Sequence, residues 1–216
     1  MKRPILLITI GLTLALAACS NSAVGQFGRK SDGPAKLVDV TQLPSMRVIG
    51  VSVEVPETLV VSERNSIKPK ADIVWREDPF GDRYGQVKTI VEDAINTGVA
   101  PLRGELPVRL QVELVRFHAL TERTRFSIGG VHEIDFLLTV TNANTGEVVI
   151  PTYLVNSSLP GFGGEEALAA VRLGQTQKVR ISSHIAAVIH SQLTGNPVLG
   201  MPQLDLAAEI ELVNSN

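Results

Sequence analysis

Cysteine is nearly absent: Cys19 is the only one in 216 residues. No intrachain disulfide and no cluster of cysteine ligands can be built from it. Aromatic side chains make up 4% of the chain, with a single tryptophan, Trp75. An excess of either charge is also missing. Twenty Lys and Arg face 22 Asp and Glu, a formal charge of −2 that gives no electrostatic reason to expect a nucleic acid partner.

Histidine is equally sparse. Of the four, His132 is followed by Glu133, Ile134 and Asp135, so no H-E-x-x-H pair forms. His184 and His190 lie six apart, about 240° around a helix, and share no ligand face. There is no G-x-S-x-G elbow and no Walker-type loop. No catalytic residue, metal site or cofactor follows from the sequence, and the expectation is a protein that is not an enzyme.

What is present begins with a basic start, Lys2-Arg3, followed by an apolar stretch over residues 5–18 broken only by Thr9, Gly11 and Thr13. As a helix it would extend about 21 Å, short of the ~30 Å hydrocarbon core of a bilayer. This is the layout of a secretory signal. Its end, Leu16-Ala17-Ala18-Cys19, resembles the lipobox of bacterial lipoproteins. That resemblance implies cleavage before Cys19, with diacylglycerol and an N-acyl chain on the cysteine and a protein held to the cell envelope facing the periplasm. The alternative is an ordinary signal cut nearby, with Cys19 an idle thiol. Ser20, where an aspartate commonly marks inner-membrane retention, favours the outer membrane. Two or three acyl chains, at about 0.8 kcal/mol per buried methylene, anchor a protein without help from its domain.

Four segments result: a signal peptide at 1–18, a lipidated N-terminus and tether at 19–45, a domain at 46–196 and a tail at 197–216. The tether is rich in Ser, Gly and Pro without a period, and ~26 such residues span about 28 Å as a coil. In the domain, Ile49, Val51, Val53 and Val55 alternate with polar residues as in a half-buried strand, and "TLVVS" after Pro56 extends the pattern past a bend. Val87, Ile90, Val91, Ala94, Ile95 and Val99 form a helical stripe, with Asp82 as cap and Gly98 and Pro101 at the end.

Strands are expected around Val108 to Leu114 and Ile134 to Val140, then a turn at "NANTG" and a strand at "EVVIPTYLV". A helical region over 165–193 is interrupted near Gly174. The predicted fold class is α+β, an antiparallel sheet covered by two helices. In the tail, Leu204, Leu206, Ala208, Ile210 and Leu212 alternate with acidic residues and Ala207, which predicts an edge strand in this domain or on a partner, with a helix as the competing reading.

The stretches "VSERNSIKPKADIVWREDPFGDRYGQV", "RFHALTERTRFSIGGVHEIDF" and "GQTQKVRI", together with the lipobox, resemble a lipoprotein family of unknown function found in alphaproteobacteria of the Rhodobacter group. More remotely, the signal, tether and α+β layout look like auxiliary lipoproteins of envelope ABC transporters.

Candidate contact residues are few. Trp75 either packs against the sheet or anchors a partner beside the turn formed by Glu77, Asp78 and Asp82. Arg116, Arg123 and Arg125, with His118 and His132, gather around "TERTRFSIGG", which is expected at a hairpin tip. They are candidates for an anionic envelope component, although interleaved Glu113, Glu122, Glu133 and Asp135 also suit a charge-balanced solvated hairpin. "PGFGGEE" reads as a turn. Two functions remain open: a non-catalytic envelope lipoprotein docking to protein partners, transporter-related among them, or a carrier of lipid or another apolar ligand.

Overall fold

The alternation read in the first strand holds in β1 (Met46–Glu54) only from Gly50 onward, where Val53 is buried and Ser52 and Glu54 face solvent; a register shift between Val48 and Gly50 leaves Ile49, expected inside, half exposed. A computed structural model describes residues 44–195; Cys19, the leader, most of the tether and the strand expected at 204–212 lie outside them. After β1 the "TLVVS" segment does not continue the strand: Val61 makes only an isolated bridge to Ile73, in the two-residue strand β2 (Ile73–Val74).

Helix α1 (Arg83–Val99) starts where Asp82 accepts the Gly85 N–H at 3.0 Å, the expected N-cap. Its predicted stripe, from Val87 to Val99, is buried throughout. The chain then forms β3 (Leu106–His118), the four-residue helix α2 (Glu122–Arg125), β4 (Gly130–Asn142), β5 (Val148–Asn156) and the short β6 (Leu159–Gly161). The β4–β5 turn is held by Asn142 Oδ1, which accepts from the N–H groups of Asn144 and Thr145. The last helical region divides into α3 (Gly164–Arg172) and α4 (Gln177–Thr194) at Gly174, whose φ of +73° suits glycine.

The class is α+β, but the sheet is mixed rather than wholly antiparallel. Strand order is β1-β3-β4-β5, with β2 on β3 and β6 on β4. β1 and β2 pair parallel to β3, whereas the β3–β4, β4–β5 and β4–β6 pairs are antiparallel. Period-2 alternation carries no information about direction. The long connection containing α1 returns the chain to the starting end of the sheet, which makes β1 and β3 parallel.

One face of the sheet buries Val108, Leu110, Val112, Leu114, Ile134, Phe136, Leu138, Val140 and Ile150 with the apolar sides of α1 and α4. The two helices meet at Gly98, where an added Cβ would lie 2.2 Å from the Ala186 carbonyl oxygen. Only glycine permits that approach. A bulge between Leu114 and Arg116 shifts the alternation of β3 and turns Phe117 into the core.

Candidate functional site

The bulge in β3 decides the fate of Trp75. Phe117 meets its indole edge-on, with ring centroids 5.7 Å apart and planes at 88°. Trp75 is 0% exposed, and its Nε1–H donates to Asp78 Oδ2 at 2.8 Å. It packs in the core and is not a docking anchor. Asp78 in turn holds Lys178 Nζ, 3.0 Å from both carboxylate oxygens, and Glu77 Oε2 accepts the Lys178 backbone N–H at 2.7 Å. The acidic turn is therefore structural: Asp82 caps α1 while Glu77 and Asp78 hold the first turn of α4. Burial pushes the Asp78 carboxyl up, but the Trp75 hydrogen bond and Lys178 together bring it below its ordinary value.

The expected hairpin tip is folded back on the 63–69 segment. Thr121 donates to the Ser66 carbonyl at 2.8 Å and Thr124 to that of Ile67 at 2.6 Å, both from buried positions. Arg76 Nε donates to Glu122 Oε2 at 2.6 Å, and Arg83, 5% exposed, forms a two-point contact with Glu63 at 2.7 and 3.0 Å. The Arg83 hydrogen bond holds the Glu63 carboxyl below its ordinary value against the opposing effect of burial.

The three arginines singled out in the sequence have different surroundings. Arg116 forks onto Glu133 Oε2 from Nε at 2.8 Å and Nη2 at 2.7 Å, and Glu133 also binds Lys68. That neutralises it. Arg123 is exposed, its backbone N–H donating to Asn65 Oδ1 at 2.8 Å. Arg125 turns inward, with Glu77 Oε1 3.5 Å from Nη1 and the Phe126 ring centroid 4.6 Å from Cζ. His118 is buried with Nε2 3.0 Å from the Pro69 carbonyl, and the buried His132 accepts the Leu120 N–H on Nδ1 at 3.3 Å. Burial, reinforced by Arg180 and Arg125, depresses His132 to about 3. The five residues thus form no single cationic patch.

The sheet face away from α1 and α4 is open to solvent. Ser52 and Glu54 of β1 lie in register with Gln111 and Glu113 of β3, which lie in register with Thr139 and Leu137 of β4. Thr139 and Thr152 share a hydroxyl hydrogen bond of 2.6 Å, and Leu154 beside them is 58% exposed. Apart from Leu154, these residues line a shallow concavity of about 330 Å³. Alternation in the sequence marked those of β1, β3 and β4 as outward-facing, whereas "EVVIPTYLV" reads as apolar on both faces, and which strands lie side by side was not visible there. Among the described residues, no group of three or more His, Asp or Glu is placed to hold a metal ion.

A mixed sheet covered on one face by two long helices, with a polar second face, is the class of domain these elements define. The chain belongs to DUF6778, a family of unknown function, which it matches over residues 46–207. No curated protein matches it. Among solved structures it is similar to a candidate lipoprotein from Caulobacter crescentus CB15, with 15% identity, 53% of this chain and 84% of that chain covered and a TM-score of 0.31. It is also similar to a DUF330-family protein from Xanthomonas campestris, with 10% identity, 79% and 92% covered and a TM-score of 0.37. A third is the PelC dodecamer from Paraburkholderia phytofirmans, with 14% identity, 67% and 89% covered and a TM-score of 0.26.

Proposed function

We propose that the protein is a lipid-anchored, non-catalytic component of the cell envelope that docks to a protein partner through the open face of its sheet. The observation that carries this reading is the one-sided cover of the sheet, which leaves a polar surface across β1, β3, β4 and β5. Glu54 and Glu113 lie in register there. Like charges placed opposite each other destabilise a sheet, and a basic segment of a partner would relieve them.

Lipid attachment at Cys19 rests on the lipobox resemblance, and among the described residues no helix is long and apolar enough to cross a membrane. The outer membrane is the favoured site because Ser20 follows the cysteine. A transporter accessory role is one form this docking would take. A lipid carrier has less support: the larger open spaces, about 330 and 340 Å³, are surface concavities, and neither lies between the helices and the sheet.

Photo-crosslinking amino acids at Gln111 and Thr139 in intact cells test the docking face. The expected result is one discrete adduct shared by both positions, lost in Glu54→Lys/Glu113→Lys and absent from a probe at Lys88 on α1. Equal adducts from Lys88 would refute the assignment of the face. Cys19→Ser is expected to abolish incorporation of a fatty acid analogue, and undiminished label would remove the anchor from this reading.

A further inference from the structure

Between α2, β4, α3 and the start of α4 lies a crevice lined by Arg125, His132, Phe162, Gln177 and Arg180. Its enclosed part measures about 10 Å³, room for one oxygen-sized atom, and it opens to solvent. Several polar groups in it have no protein partner. Arg125 Nε and Nη1 are buried without a hydrogen bond, Glu77 standing only at ion-pair distance from Nη1. Gln177 is 6% exposed, and its Oε1 is buried without a donor. Such groups are costly to bury unless a ligand completes them.

The charge balance points the same way. Arg180 stacks over Phe162, with Cζ 3.7 Å from the ring centroid, and Nη2 donates to the Pro160 carbonyl at 2.9 Å. Among the described residues no carboxylate lies within ion-pair distance of it. His132 is neutral and adds no charge. Arg125 therefore has Glu77 at ion-pair distance and the charge of Glu122 nearby, whereas Arg180 has no carboxylate partner among the described residues. An unmet acceptor beside unmet donors calls for a ligand that is negative overall and still carries a proton of its own.

We infer that this crevice binds one small protonated oxyanion of the hydrogenphosphate class. One oxygen enters the enclosed space, accepts from the Arg125 N–H groups and donates its own proton to Gln177 Oε1. The remaining oxygens stay at the mouth with the Arg180 guanidinium. The same chemistry is offered by free phosphate and by the phosphomonoester headgroup of a membrane lipid.

The test is thermal melting of the full lipidated protein in nonionic detergent at constant ionic strength, titrated with inorganic phosphate, sulfate or the soluble short-chain lipid dihexanoyl phosphatidic acid. A saturable rise with phosphate or the lipid is expected, with roughly tenfold weaker apparent affinity in Arg125→Gln and Arg180→Gln. The exposed Arg123→Gln should respond as the wild type does. Tighter binding of the phosphatidic acid assigns the ligand to a headgroup, and tighter binding of inorganic phosphate assigns it to the free ion. Sulfate, which carries no proton at neutral pH, should bind more weakly, and an equal response would overturn the donor role assigned to the ligand. No saturable rise with either phosphate ligand, or the same rise in both arginine variants, would overturn the site. Should Arg125→Gln fail to fold, Arg180→Gln and Gln177→Leu carry the comparison.

Discussion

Replacing Trp75 by alanine removes the largest of the fully buried side chains. Large-to-small changes of this kind cost about 3–5 kcal/mol, because the transfer free energy is lost and the cavity closes only in part. The edge-on contact with Phe117 and the hydrogen bond to Asp78 disappear with the indole, while Asp78 keeps Lys178 and is not left as an unpaired charge. At about 2–4 °C per kcal/mol for a chain of this size, the melting temperature should fall by about 6–20 °C. Against a typical total of 5–15 kcal/mol, the loss is severe but not always fatal to folding.

Circular dichroism melts of wild type and Trp75→Ala measure the effect. Trp75→Phe keeps an aromatic edge but loses the N–H, and should fall between the two. Because Trp75 is the only tryptophan, wild-type fluorescence reports on this position alone. Its emission should be blue-shifted and resist acrylamide quenching until the domain melts. A melting temperature in Trp75→Ala within about 2 °C of wild type, the scale of ~1 kcal/mol or less, would refute the packing assigned to Trp75. Easy quenching of the native protein would do the same.

The remaining predictions concern the helix interface and the acid limb. Gly98→Ala gains about 1 kcal/mol of helix propensity, yet its Cβ would meet the Ala186 carbonyl and Ile189, so α1 and α4 must separate. Overpacking of about 1–3 kcal/mol or more should dominate and lower the melting temperature, whereas a rise would show that the helices are not so close. His132 binds protons less readily when folded, at about 3, than at its ordinary 6.5. Unfolded chains therefore take up more protons as pH falls below 6.5, and stability declines from there. His132→Asn, with an acceptor available for the Leu120 N–H, should flatten urea-derived stability between pH 6.5 and the carboxylate range. Superimposable curves would contradict the neutral burial of His132. Below that range both proteins should lose stability, since Glu63, Glu122 and Glu133 are held below their ordinary values by arginine and lysine partners.

Several elements were legible because they depend on neighbours in the chain. The stripe from Val87 to Val99 and the Asp82 cap are local facts of period and hydrogen bonding, and α1 follows both. The same holds for the Asn142 turn and for the division of the last helical region at Gly174. Alternation along β4, and along β3 as far as Leu114, identified which side chains turn inward, whereas in β1 a register shift leaves Ile49 outside. The proposed anchor at Cys19 also rests on local sequence alone and lies outside the described residues.

What tertiary structure decided is everything that depends on pairing. Strand direction is set by where the intervening chain returns, and alternation is the same for parallel and antiparallel neighbours. A one-residue bulge at Val115 exchanged the faces of β3 beyond it, turning Phe117 inward to meet Trp75 and leaving Arg116 to Glu133. The crevice joins Arg125 to Gln177 and Arg180, more than fifty positions apart, in an arrangement that no local period encodes. Local sequence sets how a segment folds and which side it buries. Only the closed fold sets which charges meet, because that depends on distances between segments remote along the chain.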